Sequence, residues 1–270
     1  MLNLGSMEKN TEELEKKDII NEYRSLSRAI TQKTSPEERK NIRRAFNLAV
    51  DAHKNSRRKS GKLYISHPIS VAKIVANDIG LGAKSIICSL LHDVVEDTDV
   101  TLEDIKTEFG EEISLIIDGL TKISGVVEAD VSLQAENFRK MILTISNDIR
   151  VVLIKIADRL DNMRTLEYLT QNKQERIASE TLYLYAPLAH RLGLYSIKTE
   201  LEDLSLKYTE PSTYFNISNK LNETKDNREK YIKKFTRPIK EKLKDENIKC
   251  SIKGRPKSIF SIRKKMIEKE

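Results

Sequence analysis

Between His92 and Thr98 the chain reads His-Asp-Val-Val-Glu-Asp-Thr, which sets four metal- or proton-handling side chains within six residues of an otherwise apolar, helical stretch. Ser89-Leu90-Leu91 precede the run and Val94-Val95 interrupt it, which is not the pattern of a solvated charge run. On an α-helix, residues four apart share a face, so His92 would lie above Glu96 and Asp93 above Asp97. His92 and Asp93 would stand about 100° apart. Both could then reach one cation at the helix flank, with Glu96 and Asp97 a turn away beside whatever that cation holds. One His-Asp pair does not close a coordination shell, so the fold has to bring further ligands to this helix from elsewhere. The pattern suggests a metal that activates water.

Helical periodicity dominates the rest of the chain. Glycine occurs 9 times and proline 6 times in 270 residues, too few for a turn-rich β fold. Ser35-Pro36-Glu37-Glu38 predicts a helix start, with a serine cap, proline in the first turn and a glutamate three residues after the cap. That helix should run to about His53. Asn55 to Ser66 reads as a basic loop containing Gly61, Pro68 opens another helix, and Gly80 to Gly82 break before the helix bearing His92. Thr101-Leu102-Glu103-Asp104 is a further capped start, ended by Gly110. A helical period continues from Glu111 through Leu133–Ile145, Asp148–Leu169 and Arg176–Leu192; Gly193 marks a break and Ser196–Tyr208 follows. The segment Lys220–Lys249 reads as one charged helix, and Ile248–Ile252 alternates like a strand. The expected fold is all-α, a helical bundle through about residue 210, with a short α/β segment at the C-terminus.

Composition narrows the partners. A content of 33% charged and 39% hydrophobic residues fits a helix-rich chain able to build a core. No apolar run approaches the roughly 20 residues that span a bilayer, so no membrane role is expected. The opening residues lack a secretory pattern, and Gly5-Ser6-Met7 reads as an expression scar. Cys88 and Cys250 are far apart and in no paired motif, which argues for a reducing cytoplasm, with Cys88 a small core residue. Net charge +7 allows a polyanionic partner, either nucleic acid or a highly phosphorylated small molecule. Much of that excess follows residue 224, and neither zinc-finger spacing nor an RNA-binding aromatic motif is present, which leaves nucleic acid the lesser reading.

The chain has 4 histidines. His53 ends a helix after Ala52, and His67 sits in Tyr64-Ile65-Ser66-His67-Pro68; each alone could be an ordinary half-buried histidine. Asp158, in Leu153-Ile154-Lys155-Ile156-Ala157-Asp158-Arg159-Leu160, lies on an apolar helix, where a carboxylate has to be hydrogen-bonded, paired or metal-bound. A salt bridge is the competing account. Arg57-Arg58-Lys59-Ser60-Gly61-Lys62 could be a solvated loop, but its place between His53 and His67 would bring it near a metal.

These elements occur in one order: His53, Arg57 to Gly61, Tyr64 to Pro68, His92 to Thr98, Ala157-Asp158-Arg159-Leu160 and Asn162-Met163-Arg164-Thr165. Together they resemble the hydrolase domain of the bifunctional Rel (RelA/SpoT-type) enzymes, which degrade and make the alarmone (p)ppGpp, within the wider superfamily named after its His-Asp pair. Gln134 to Met141 and Tyr185 to Gly193 add to the resemblance, which covers nearly everything from about residue 21. It implies a hydrolase domain over 21–200, a helical linker over 201–250 and the start of a synthetase domain over 251–270; the polar residues 1–20 read as a tag-derived, flexible lead-in, frayed or partly helical. His67, His92, Asp93 and Asp158 are the metal ligands it implies, with His53 shaping the pocket. Two nitrogens and two oxygens suit Mn²⁺ but also permit Fe²⁺, Co²⁺ or Zn²⁺; the resemblance is what selects manganese.

The implied reaction is hydrolysis of the 3′-diphosphate of (p)ppGpp, giving GDP or GTP plus pyrophosphate, by a guanosine-3′,5′-bis(diphosphate) 3′-diphosphatase. Glu96 and Asp97 would position water and handle its proton, or else support the histidine ligands. Arg58 can stack on a purine, Lys59 can counter negative charge and Ser60 offers a hydroxyl. Tyr64 would bind or pack, and Asn162 and Thr165 fall in the implied guanosine pocket. One residue departs from the pattern: Asp161 stands where the family usually has His, off the metal positions but able to weaken substrate contacts. The segment Ile252 to Met266 is similar to the opening of the synthetase domain, and the chain stops before that domain's catalytic carboxylates, so synthesis is expected to be absent. Three rivals compete: a phosphohydrolase for deoxynucleotides or cyclic nucleotides, a nucleotide-binding regulatory module without hydrolysis, and nucleic-acid binding through the lysine-rich end.

Overall fold

The computed structural model describes residues 4–124, 148–252 and 257–269. Gln134 to Met141 and the period expected over Leu133–Ile145 lie outside the described residues, as do Lys253 to Pro256. The chain divides into two units, Met1–Thr170 and Gln171–Glu270. Among the described residues all regular structure is helical, and no helix is long and apolar enough to cross a membrane.

The first unit opens with α1 (Leu4–Ala29), which takes in most of the polar lead-in. In α2 (Pro36–Ala52) the expected cap forms in full. Ser35 Oγ accepts from the Glu38 amide at 3.1 Å, and the Glu38 carboxylate accepts from the Ser35 amide at 2.7 Å. Pro36 sits in the first turn, where an amide would have no helical partner, and the helix ends against His53. The loop that follows closes as a three-residue hairpin: the Gly61 amide donates to the Arg58 carbonyl and the Arg58 amide to the Lys62 carbonyl, each at 2.9 Å. Gly61 has φ +82°, the left-handed setting this loop type needs and side chains disfavour. Next, α3 (Ser66–Lys73) runs directly into a π-helical turn, Ile74–Ile79, which stops at Gly80.

The core is organised by α4 (Ala83–Leu91), in which every residue except Lys84 is buried. A helix that is apolar all round has to be covered on all sides, and α4 packs against α2, α3, α7 (Glu111–Ser124) and α8 (Ile149–Arg164). Between them lie the four-residue α5 (Val94–Asp97) and α6 (Leu102–Phe109). Thr101 and Asp104 cap α6 reciprocally, as the sequence predicts. Ile69, Leu90, Leu91, Leu120, Ile154 and Leu160 are fully buried, each contributing about 1.5–3 kcal/mol.

The second unit contains α9 (Gln171–Glu180), a π-helical turn at Thr181–Tyr185, α10 (Ala186–Arg191), α11 (Tyr195–Thr209), α12 (Pro211–Glu223), α13 (Lys225–Asp245) and α14 (Ile259–Ile267). Its core centres on α11, where Ile197, Leu201 and Leu206 are buried. Two expectations are corrected here. The single charged helix over Lys220–Lys249 is broken at Thr224, the cap shared by α12 and α13. Ile248–Ile252 forms no strand: alternation specifies which face is apolar, but a strand also needs a neighbour to take its backbone hydrogen bonds.

Candidate metal centre

The centre is built where α4 ends. His92 caps α4, and Asp93 follows as the cap of α5. The continuous helix expected through His92–Asp97 is therefore interrupted at the His-Asp pair. The Asp97 amide still donates to the Asp93 carbonyl at 2.9 Å, so Glu96 and Asp97 remain one turn beyond the pair. Both are exposed, whereas His92 is completely buried. The break has a consequence for chemistry: His92 Nδ1 lies 2.8 Å from the Ser89 carbonyl oxygen. A carbonyl only accepts, so Nδ1 carries a proton and Nε2 is the nitrogen that can offer a lone pair. Nε2 is buried and makes no hydrogen bond, a costly arrangement unless a cation takes that lone pair.

His67, in the first turn of α3, brings the second imidazole. Its Nε2 lies 3.7 Å from Asp93 Oδ2 and 3.2 Å from Asp158 Oδ1, while His92 Nε2 lies 3.1 Å and 3.9 Å from the same two oxygens. The donor atoms of His67, His92 and Asp93 all fall within 4.8 Å of one another. Asp158 comes from α8, which packs against α3 and α4. Two imidazole nitrogens and two carboxylate oxygens at these separations form a donor set that fits a borderline divalent cation, once His67 gives up its extra proton. The two aspartates are the partly exposed members, at 15% and 17% of side-chain surface, so the set opens to solvent on their side.

Electrostatics without a metal follow from the crowding. Burial disfavours charge on His67, but hydrogen bonds with Asp158 and Asp161 outweigh it and push its pKa up to about 9. Burial likewise opposes ionisation of Asp93 and Asp158. The His92 imidazole beside Asp93, and the His67 hydrogen bond and Lys155 charge beside Asp158, prevail and hold both well below the usual carboxylate range. Burial, then Asp93, pushes the Tyr64 phenol upward, which keeps it a donor: Tyr64 Oη gives its hydrogen to Asp93 Oδ2 at 2.7 Å. His53 is 2% exposed, packs against Tyr64 with ring centroids 4.6 Å apart and planes tilted by 35°, and has no hydrogen bond at either ring nitrogen. Burial pushes its pKa down, against Asp93 and Asp97.

Next to the centre sits the basic loop. Arg58 donates to Asp161 Oδ2 at 2.8 Å, to Asn162 Oδ1 at 3.0 Å and to Thr165 Oγ1 at 3.1 Å. Asn162 Nδ2 in turn donates to Asp158 Oδ1 at 2.7 Å, which joins the Arg58 cluster to the metal donors. Lys59 is exposed and Ser60 half-buried on the same hairpin. Two members of this neighbourhood escaped the sequence reading. Lys155 is 6% exposed, with its ammonium 3.9 Å from Asp158 Oδ2; a lone lysine one turn before an aspartate on an apolar helix was its signal. Asp161 registers in the sequence as a departure, but nothing there shows that its carboxylate touches His67.

The HD domain family matches residues 45–195. A protein named GTP pyrophosphokinase from Myxococcus xanthus is 46% identical over 83% of this chain and 30% of its own length. The guanosine-3′,5′-bis(diphosphate) 3′-pyrophosphohydrolase of Aquifex aeolicus is 43% identical over 84% of this chain and 32% of its own. The bifunctional (p)ppGpp synthase/hydrolase SpoT of Escherichia coli is 42% identical over 92% and 35%. The chain thus spans about a third of the length of these relatives. With its histidine and aspartate donors converging from α3, α4 and α8, the chain belongs to the HD domain family and is of the Rel/SpoT type.

Proposed function

We propose that this chain hydrolyses the 3′-diphosphate of ppGpp or pppGpp, releasing pyrophosphate and GDP or GTP, with Mn²⁺ held by His67, His92, Asp93 and Asp158. The observation that carries the reading is the convergence of these four side chains from separate elements, with His92 Nε2 buried, 3.1 Å from Asp93 Oδ2 and beside two depressed carboxylates. The names of the relatives supply the substrate. A divalent cation in such a site polarises a phosphoryl oxygen and lowers the pKa of bound water.

The chain's own residues do the rest. Glu96 and Asp97, at the solvent-facing end of α5, orient the attacking water and take up its proton, a role worth about 10²–10⁴ in rate. Arg58, Lys59 and Ser60 face the anionic groups of the nucleotide from the hairpin, and Asn162 and Thr165 line the guanosine side. Tyr64 fixes the rotamer of Asp93 through its 2.7 Å hydrogen bond. Two cysteines, both free, suit the reducing cytoplasm proposed as its setting.

The test is incubation with ppGpp and Mn²⁺ and separation of the products, with Asp93→Asn alongside. Pyrophosphate and GDP from the parent but not the variant support the reading. No turnover with any divalent ion would replace it with a nucleotide-binding module.

A further inference from the structure

Asp161, the residue that departs from the expected pattern, makes a 2.6 Å contact at the centre. Asp161 is 6% exposed, and one of its oxygens, Oδ2, lies 2.6 Å from His67 Nδ1 and 2.8 Å from an Arg58 nitrogen. A carboxylate beside a guanidinium is ionised and can only accept, so His67 Nδ1 is the donor and Nε2 is left to bind a cation. The same oxygen therefore fixes a ligand tautomer on one side and holds a substrate-facing cation on the other. We propose that Asp161 is a positioning residue that couples the metal ligand His67 to Arg58, so that cation affinity and nucleotide affinity are set by one carboxylate.

The coupling has two parts of opposite sign. The hydrogen bond to Nδ1 orients the imidazole and raises its basicity, which strengthens cation binding. The ion pair to Arg58 neutralises part of the charge that would otherwise meet the nucleotide's phosphates. Arg58 is tied down at three acceptors, Asp161, Asn162 and Thr165, along the last turn of α8. Removing the carboxylate should loosen the cation while releasing Arg58 towards the substrate. An amide in its place could still accept from His67 while no longer neutralising Arg58.

This inference rests on the proposed hydrolase, so its test separates the two. Mn²⁺ alone is titrated into the full chain, Asp161→Asn and Asp161→Ala, and the free ion is followed by its electron paramagnetic resonance signal; kcat and KM for ppGpp are then measured at saturating Mn²⁺. Asp161→Ala should weaken Mn²⁺ binding by about 10–100-fold, while Asp161→Asn restores most of it. KM for ppGpp should fall in Asp161→Asn, in which Arg58 has lost its counter-charge, with kcat less changed. If the parent binds Mn²⁺ and turns over but Asp161→Ala binds the ion as well as the parent does, the coupling is overturned and the hydrolase reading stands. Circular dichroism of each variant separates loss of fold from loss of affinity: unfolded Asp161→Ala with folded Asp161→Asn leaves the decision to the latter, whose unchanged KM would overturn the proposal.

Discussion

Helices α8 and α13 handle charge in opposite ways. In α8, Lys155, Asp158 and Asp161 sit among buried apolar residues, and both aspartates have identified partners: Asp158 meets His67 and Asn162, and Asp161 meets His67 and Arg58. In α13 no residue is buried, and Arg237 and Glu241 pair across one turn with 80% and 61% of their side-chain surface exposed. An exposed i,i+4 pair of this kind contributes about 0.3–0.5 kcal/mol, whereas removing one partner of a buried network leaves the other uncompensated and costs several times more. The comparison teaches that the net charge of +7, much of it on the lysine-rich segment, is a poor guide to chemistry. A few buried charges with directed partners say more than many solvated ones.

The contrast can be attacked in order of size. Glu96→Gln and Asp97→Asn should each lower kcat by about 10²–10⁴ with Mn²⁺ affinity unchanged; a loss of ion binding instead would make these residues supports of the centre rather than proton handlers. Truncating the fully buried Ile154 of α8 to alanine should destabilise the fold by about 2–5 kcal/mol, against less than about 0.5 kcal/mol for Ile239→Ala on the exposed face of α13. Equal shifts in urea denaturation would erase the distinction between the two helices.

Acidity gives a subtler probe. The extra proton on His67, whose pKa is about 9 rather than 6.5, stabilises the metal-free fold fully below pH 6.5, and that contribution is lost as the pH rises through 9. A cation needs the deprotonated nitrogen, so Mn²⁺ affinity should climb over this window by up to about tenfold per pH unit. Calorimetry in buffers of differing ionisation enthalpy near pH 7.5 should count about one proton released per ion bound, and none released would contradict it. The smallest effect concerns the thiols: burial pushes Cys88 up to about 12, while Cys250 is exposed. A thiol reagent should label one cysteine in the folded chain and two after denaturation, with no change in turnover.

Local signals carried much of the fold. Ser35 and Thr101 cap as their spacing predicts, and Gly110 and Gly193 end helices at positive φ, because capping chemistry is confined to a few neighbouring residues. What escaped the sequence depends on partners far along the chain. The interruption between α4 and α5 is a property of packing, and the strand expected at Ile248–Ile252 lacks a neighbour. The proposed metal donors rest on resemblance rather than spacing, since nothing local tells His67 apart from His53. Asp161 was visible as an oddity, but its bond to His67 joins positions 94 residues apart.

The carbonyl of Ser89 lies in the last turn of α4, the region where a helix runs out of amides for its oxygens. By committing that oxygen to His92, the chain gears the swivel of an imidazole to the residue at which the helix stops. A single inserted or deleted residue between Ser89 and His92 would rotate the ring by about 100° about the helix axis, and so put the centre out of true with every donor still present.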